Sequence, residues 1–224
     1  SWSNVEDKML GLILASSTGF FLFIFISIFY LPKIHFLSER KGVEYSRRKL
    51  KWLSRMVLGS LNVKLRVKYK NRRAINSLDK TKGIIFVCNH QSNLDIPAIV
   101  TALHMDVGFV AKHEMKSWPF FGTWMKRSNC VFLNRENPRE GIKDMKKAVE
   151  LIKKGYPTVI FPEGERTIDG SILSFKKGSF KLATETNGII VPLTLKGTYN
   201  IQKRGNLKMN RGQLVTLVVD EPIF

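Results

Sequence analysis

The run Ile84-Ile85-Phe86-Val87-Cys88-Asn89-His90-Gln91-Ser92-Asn93-Leu94-Asp95 sets a histidine just beyond an apolar, strand-like stretch and a carboxylate shortly after it. Along a continued strand the two side chains would stand about 17 Å apart at roughly 3.3 Å per residue. Along a continued helix they would point about 140° apart. Only a chain reversal brings them together, and Asn89 to Asn93 has the composition of a turn. With Ser92 or Asn93 capping a helix, Asp95 falls in its first turn and reaches back to imidazole Nδ1, fixing the tautomer whose Nε2 accepts a proton. Such a dyad needs no serine nucleophile when the substrate brings its own hydroxyl, and it suits acyl transfer to an alcohol. Alone, the spacing more often marks an exposed loop histidine beside an aspartate helix cap, so its meaning depends on its company.

Arg135 and Arg166 each follow the end of a predicted strand. A phosphomonoester carries nearly two negative charges and suits planar, permanently charged guanidinium forks. Lys112, directly after the stretch Val107 to Ala111, is a further candidate for phosphate or oxyanion contact, or else a solvated lysine. Cys88 ends an apolar stretch with no electropositive neighbour, so it reads as a buried structural cysteine rather than an acyl-enzyme nucleophile. Cys88 and Cys130 show neither zinc-site nor disulfide spacing, which excludes a metal centre of that kind and fits a reducing compartment.

These residues need elements to hold them. Short β-branched and aromatic runs predict strands at Ile84–Cys88, Val107–Ala111, Cys130–Leu133, Thr158–Phe161, Ile189–Leu195 and Leu214–Val219. Ile142, Met145, Val149 and Ile152 recur at helical spacing between an opening Pro138 and a closing Gly155. The alternation predicts an α/β fold: a mixed, mainly parallel sheet flanked by helices, with sites where strand ends meet helix starts. Residues 63–224 read as one such domain, in which Lys196 to Arg211 is a long basic loop.

Residues 1–62 read as a two-helix membrane anchor. Met9 to Leu31 is an uncharged run long enough for a helix of about 34 Å at roughly 1.5 Å per residue. Pro32 is expected to break it. Tyr45 to Leu61 then carries apolar positions at helical spacing among Arg47, Arg48, Lys49, Lys51 and Arg55, and predicts a basic helix that lies at the interface or packs on the domain. Where the helix of Met9 to Leu31 spans the bilayer, the positive-inside tendency puts the C-terminal domain on the cytosolic face of the cytoplasmic membrane; the alternative is a hairpin that enters one leaflet and turns at Pro32. The 37 Lys and Arg against 18 Asp and Glu, net +19, call for an anionic partner.

Four ordered blocks decide the company that His90 and Asp95 keep: Asn89-His90 to Asp95, Val131-Phe132-Leu133-Asn134-Arg135, Phe161-Pro162-Glu163-Gly164-Glu165-Arg166, and Ile190-Val191-Pro192-Leu193. From about Val63 to Phe224 the chain resembles the lysophosphatidic acid (1-acyl-sn-glycerol-3-phosphate) acyltransferases of the glycerophospholipid acyltransferase family, whose fold is glycerol-3-phosphate acyltransferase-like. The resemblance implies His90 and Asp95 as catalytic, Arg135, Glu163, Gly164 and Arg166 as acceptor-binding, and Pro192 on the acyl side. At the Pro-anchored turn, Glu163 is a candidate to hold Arg166 or to hydrogen-bond the glycerol, unless with Gly164 it only shapes the turn. Two residues depart from the pattern: Asn134 where Asp is frequent, and Glu165 where a small hydroxyl is usual. Glu165 is expected to point outward, since a carboxylate facing a phosphate site is unfavourable.

What the resemblance implies is transfer of a fatty acyl group from acyl-CoA or acyl carrier protein to the sn-2 hydroxyl of lysophosphatidic acid at a lipid bilayer, without a cofactor or metal and without nucleic acid. Glycerol 3-phosphate, other lysophospholipids and lyso-ornithine lipids are rival acceptors. A hydrolase using Ser92 lacks a G-x-S-x-G elbow, and a non-catalytic anionic-lipid-binding protein leaves the motif order unexplained. Oxyanion donors are expected among backbone amides after His90 or near Gly164.

Overall fold

A computed structural model of the chain describes residues 18–34, 36–79, 81–206 and 208–224. Seven strands among these form one sheet: β1 (Lys64–Tyr69), β2 (Ile84–Cys88), β3 (Gly108–Lys112), β4 (Val131–Leu133), β5 (Thr158–Ile160), β6 (Ile189–Lys196) and β7 (Leu214–Val219), in the order β1-β7-β6-β2-β5-β3-β4. Neighbours are parallel except β6 and β7, so the sheet is mixed and mainly parallel as the alternation predicts. Both faces of its centre are covered, which is why the strands read as near-continuous apolar runs. Ile84, Phe86 and Cys88 of β2 enter one core with Leu94, Ala98 and Ile99, while Ile85 enters another with Val110, Ala148, Ile152, Ile160 and Leu182.

Parallel neighbours end on the same side of a sheet, and this is what gathers the chemistry. Cys88 of β2 leads into His90, β3 ends on Lys112, β4 leads into Arg135 and β5 into Phe161 to Arg166. Behind them α1 (Thr18–Ile34), α2 (Glu39–Ser60), α3 (Arg72–Asn76), α4 (Asp95–Ala102), α5 (Phe121–Arg127) and α6 (Pro138–Lys153) supply the layers, followed by the short α7 (Lys181–Thr186) and α8 (Thr198–Ile201). Helix α6 begins as expected: Pro138 stands in its first turn and the Asn137 side chain accepts the Arg139 and Glu140 amides at 3.1 and 3.4 Å.

Three expectations need correction. Strand β1 goes unpredicted because Lys64, Arg66 and Lys68 alternate with Leu65, Val67 and Tyr69; only the second set packs on the core, and a one-face edge strand lacks the continuous apolar run of the central ones. Pro32 does not end α1, which continues to Ile34; so close to the C-terminus the proline costs a single backbone bond. The segment from Lys196 to Arg211 holds the end of β6 and the helix α8 before it turns back.

The N-terminal part of the apolar run, up to Ser17, lies outside the described residues, and among those described no helix is long and apolar enough to cross a membrane. Helix α2 starts at Glu39, earlier than the periodicity suggests, because Gly42 hides the pattern; a Cβ there would meet Ile34 Cγ2 at 3.2 Å, so the glycine lets α1 approach. Of the two placements open to α2, its basic side chains favour docking on the domain. Arg47, only 5% exposed, donates from Nε to Ser128 O and from Nη1 to Asp106 O, both at 3.0 Å, and Lys51 Nζ donates to Leu103 O at 2.7 Å. Burial lowers the Arg47 pKa, and nearby Cys130 and Asp106 oppose that shift. Arg47→Ala is expected to leave two carbonyls unpaired at a cost of about 2–4 kcal/mol, read in thermal unfolding as a fall in Tm of roughly 5–15 °C for a chain of this size.

Candidate active site

His90 Nδ1 and Asp95 Oδ2 lie 2.7 Å apart, as the chain-reversal argument requires. The device that closes the reversal differs from the expected one. Neither Ser92 nor Asn93 is the helix cap: Leu94 holds that position with no side-chain bond, and the Ser92 hydroxyl only accepts the Leu94 amide at 3.3 Å. The Asp95 carboxylate closes the turn from the far side, its Oδ2 accepting the Gln91 and Ser92 amides at 2.6 and 2.9 Å as well as the imidazole. A carboxylate is a stronger acceptor than a hydroxyl, and one with no exposed surface must collect donors. With Nδ1 held by the carboxylate, Nε2 is the nitrogen left for a substrate proton.

The imidazole lies on the Phe161 ring, centroids 4.1 Å apart and planes inclined by 17°. Its main chain is tied on both sides. The His90 amide donates to Glu163 Oε1 at 2.7 Å, and its carbonyl accepts the Thr167 amide at 3.0 Å. Glu163, 2% exposed, directs its other oxygen to the Leu173 amide at 2.7 Å. Both carboxylate oxygens therefore brace backbone, which is the turn-shaping alternative for this residue rather than an open acceptor contact. Asn89 does similar work on β6, donating from Nδ2 to Leu195 O at 2.9 Å and accepting the Leu195 amide at 2.7 Å.

Phe161 also lines a groove of about 400 Å³ together with Leu133, Ile142 and Met145, the cations Arg135, Lys146, Lys176 and Lys181, and the carboxylate Glu185. Arg135 and Gly164 are brought together in this lining, which Phe161 shares with the ring contact of His90. Arg135 stays open to solvent, yet the protein around it removes enough water to lower its pKa, against the opposing fields of Glu114 and Glu165. Gly164 has φ +76°, and a Cβ on it would come within 2.9 Å of Lys176 Nζ, so the glycine serves both the turn and the lysine that crosses it. His90, Asp95, Glu163, Lys112, Arg166 and Pro192 are not in the lining of this groove. Lys112 pairs with Glu114 at 3.0 Å; Arg166 is half-buried in the turn; Pro192 stands inside β6 opposite Val87.

Asn134, the first departure from the motif, keeps the Asx geometry through its side-chain oxygen, which accepts the Glu136 and Asn137 amides at 3.0 and 2.9 Å. Glu165 is 52% exposed and meets Arg204 at 3.0 Å, outward as expected, though its field still reaches Arg135. Three of the backbone amides in the two stretches expected to hold oxyanion donors are engaged within the protein: those of Gln91 and Ser92 on Asp95, and that of Gly164 on Phe161 O. Ser92, fully buried and donating to Gln202 O at 3.0 Å, is no nucleophile. Burial pushes the Cys88 thiol well up and the Cys130 thiol up to about 11, so neither supplies thiolate at neutral pH.

Asn89, Lys176, Gln202 and Arg204 carry no role in the sequence reading. Asn89 belongs to a quoted block and only its partner, Leu195, was invisible; the other three lie in basic or polar stretches whose contacts are set by tertiary structure alone.

A family model described as Acyltransferase matches residues 66–196, more than half of the chain, including β2 to β6 and the turns that follow β2, β4 and β5. The chain belongs to the acyltransferase family. A chloroplastic 1-acyl-sn-glycerol-3-phosphate acyltransferase of Arabidopsis thaliana is 37% identical over 139 residues, 62% of this chain and 39% of that protein. A probable 1-acyl-sn-glycerol-3-phosphate acyltransferase of Mycoplasma pneumoniae is 30% identical over 154 residues, 63% of this chain and 57% of that protein. The chain thus spans about two fifths of the length of the plant relative. The crystal structure of the 1-acyl-sn-glycerophosphate acyltransferase PlsC of Thermotoga maritima aligns with a TM-score of 0.75 at 26% identity, covering 98% of this chain and 86% of that one.

In this acyltransferase Glu163→Gln replaces one of two acceptors with a donor, setting it against a backbone amide. The expected result is a loss of about 1–3 kcal/mol in denaturant unfolding together with reduced turnover, since His90 is one of the two residues released. Iodoacetamide at neutral pH is expected to leave both thiols of the folded protein unmodified by mass spectrometry and activity intact.

Proposed function

We propose that the chain transfers a fatty acyl group from a thioester, acyl-CoA or acyl carrier protein, to the sn-2 hydroxyl of lysophosphatidic acid, giving phosphatidic acid for phospholipid synthesis. The observation that carries this reading is the 2.7 Å contact of His90 and Asp95, with the imidazole stacked on Phe161, a residue that also lines a groove of mixed apolar and cationic side chains. An acceptor with an alkyl chain and a phosphomonoester calls for both kinds of side chain. The names of the plant and mycoplasmal relatives and of the aligned bacterial structure support the same acceptor.

His90 Nε2 removes the hydroxyl proton as the oxygen attacks the thioester carbonyl. Asp95 stabilises the imidazolium that forms. Collapse of the tetrahedral intermediate breaks the carbon–sulfur bond, and the imidazolium returns its proton to the leaving thiolate. All proton transfers pass through His90, so the scheme calls for no cofactor beyond the thioester. Arg135 and Arg166 take the phosphate of the acceptor as guanidinium forks, with Lys112 and Lys176 adding positive potential. The amides of Gln91 and Ser92 are engaged on Asp95 and are not the oxyanion donors of this scheme. Glu163 and Gly164 hold the turn that presents them, and Pro192 lies on the acyl side.

In the same reading residues 1–62 anchor the enzyme in the cytoplasmic membrane, residues 63–224 form the catalytic domain on its cytosolic face, and the lysolipid is acylated without leaving the bilayer. Wild-type protein in liposomes is expected to convert lysophosphatidic acid to phosphatidic acid with long-chain acyl-CoA or acyl carrier protein, and His90→Ala to lose at least about a hundredfold in kcat. Equal product from both proteins would remove His90 from the mechanism, and product only from glycerol 3-phosphate or another lysolipid would replace the acceptor.

A further inference from the structure

Glu165 stands between Gly164 and Arg166, where the motif usually carries a small hydroxyl residue. A carboxylate at that point is a liability for an anion site: it subtracts potential from the guanidiniums beside it and repels a dianionic ligand. Its field does extend to the site, for Glu165 acts on Arg135 alongside Glu114. The molecule meets this charge with Arg204, from the segment that follows β6. Nη1 of Arg204 donates both to Glu165 Oε2 at 3.0 Å and to the backbone carbonyl of Arg166 at 3.1 Å. One guanidinium thus neutralises the carboxylate and holds the main chain from which Arg166 projects.

The segment that brings Arg204 is itself fastened to the catalytic loop. Gln202, buried, accepts the Ser92 hydroxyl on its carbonyl at 3.0 Å and donates from Nε2 to Asn206 O at 3.1 Å. Arg204 therefore reaches the turn from a backbone fixed on either side, at little cost in side-chain order beyond its own.

We propose that Arg204 is a positioning and charge-compensating residue of the anion site, required because Glu165 occupies the turn, and that the pair keeps Arg135 and Arg166 available to a phosphomonoester. The inference rests on the acceptor assigned above. Its sign pattern separates it from simple support of a loop. Without Arg204, Glu165 is left uncompensated and the site loses affinity for a dianion; without Glu165, that charge-compensating role lapses and only the bond of Arg204 to the Arg166 carbonyl is missed. A loop strut would instead be missed whatever residue stood at position 165.

The test compares wild type, Arg204→Ala, Glu165→Thr and the double variant by equilibrium binding of lysophosphatidic acid in detergent micelles and by KM and kcat for both substrates. Arg204→Ala is expected to raise Kd and KM for lysophosphatidic acid about fivefold, the upper range for a partly exposed ion pair, with kcat and the acyl-CoA KM within about twofold. The double variant is expected to return to within about twofold of Glu165→Thr, and the defect of Arg204→Ala to shrink at high salt. Equal loss in Arg204→Ala and the double variant, or no loss in either, overturns the inference; a rise confined to the acyl-CoA KM overturns its assignment to the acceptor phosphate. Wild type that binds lysophosphatidic acid without turning it over would refute the proposed reaction while the Kd series still decides the pair.

Discussion

The site is organised around one buried carboxylate. Asp95 has no exposed surface, and an ionised carboxylate so placed is tolerable only when donors surround it. Its Oδ2 takes three of them, two consecutive backbone amides and the imidazole of His90, while its buried Oδ1 has no hydrogen-bond partner among the described residues. The three bonds to Oδ2 fold residues 90–95 into a closed turn and fix the orientation of the histidine in the same act. They also remove the two amides from other service.

A turn built on one carboxylate needs bracing from elsewhere, and the parallel sheet provides it. Strand β5 ends beside the end of β2 and β6 runs on past it, so the residues after β5 and the last residues of β6 reach the same loop. Glu163 takes the His90 amide, Thr167 its carbonyl, and Leu195 closes both bonds of the Asn89 side chain. The ring itself rests on Phe161, the first residue after β5. Each brace binds backbone or a ring face, leaving Nε2 untouched.

This division explains what the sequence disclosed. The contact of His90 with Asp95 was legible because both partners lie within one turn, where spacing limits the geometry. The central strands were legible because burial on both faces makes them apolar throughout, and α6 because its apolar residues recur at helical spacing between Pro138 and Gly155. Strand β1 was not, because an edge strand with one buried face alternates, and Arg204 was not, because nothing near it in sequence indicates Glu165 as its partner. The cap of α4 was misread for a related reason: a carboxylate inside the helix can reach back and do what a preceding hydroxyl usually does.

The charge of the chain has to be read through the same lens. A net charge of +19 suggests a uniformly cationic surface, but several of these cations are committed within the molecule. Arg47 and Lys51 hold α2 to carbonyls of the domain, Lys70 pairs with Asp220 at 2.9 Å, Lys112 with Glu114 and Arg204 with Glu165. The groove carries a smaller and more local set, Arg135, Lys146, Lys176 and Lys181 with Glu185 among them. The protein around Arg135 lowers its pKa, against the fields of Glu114 and Glu165. The positive potential at any one place on this molecule is therefore set by which cations the fold gathers there and which carboxylates face them, more than by the net charge.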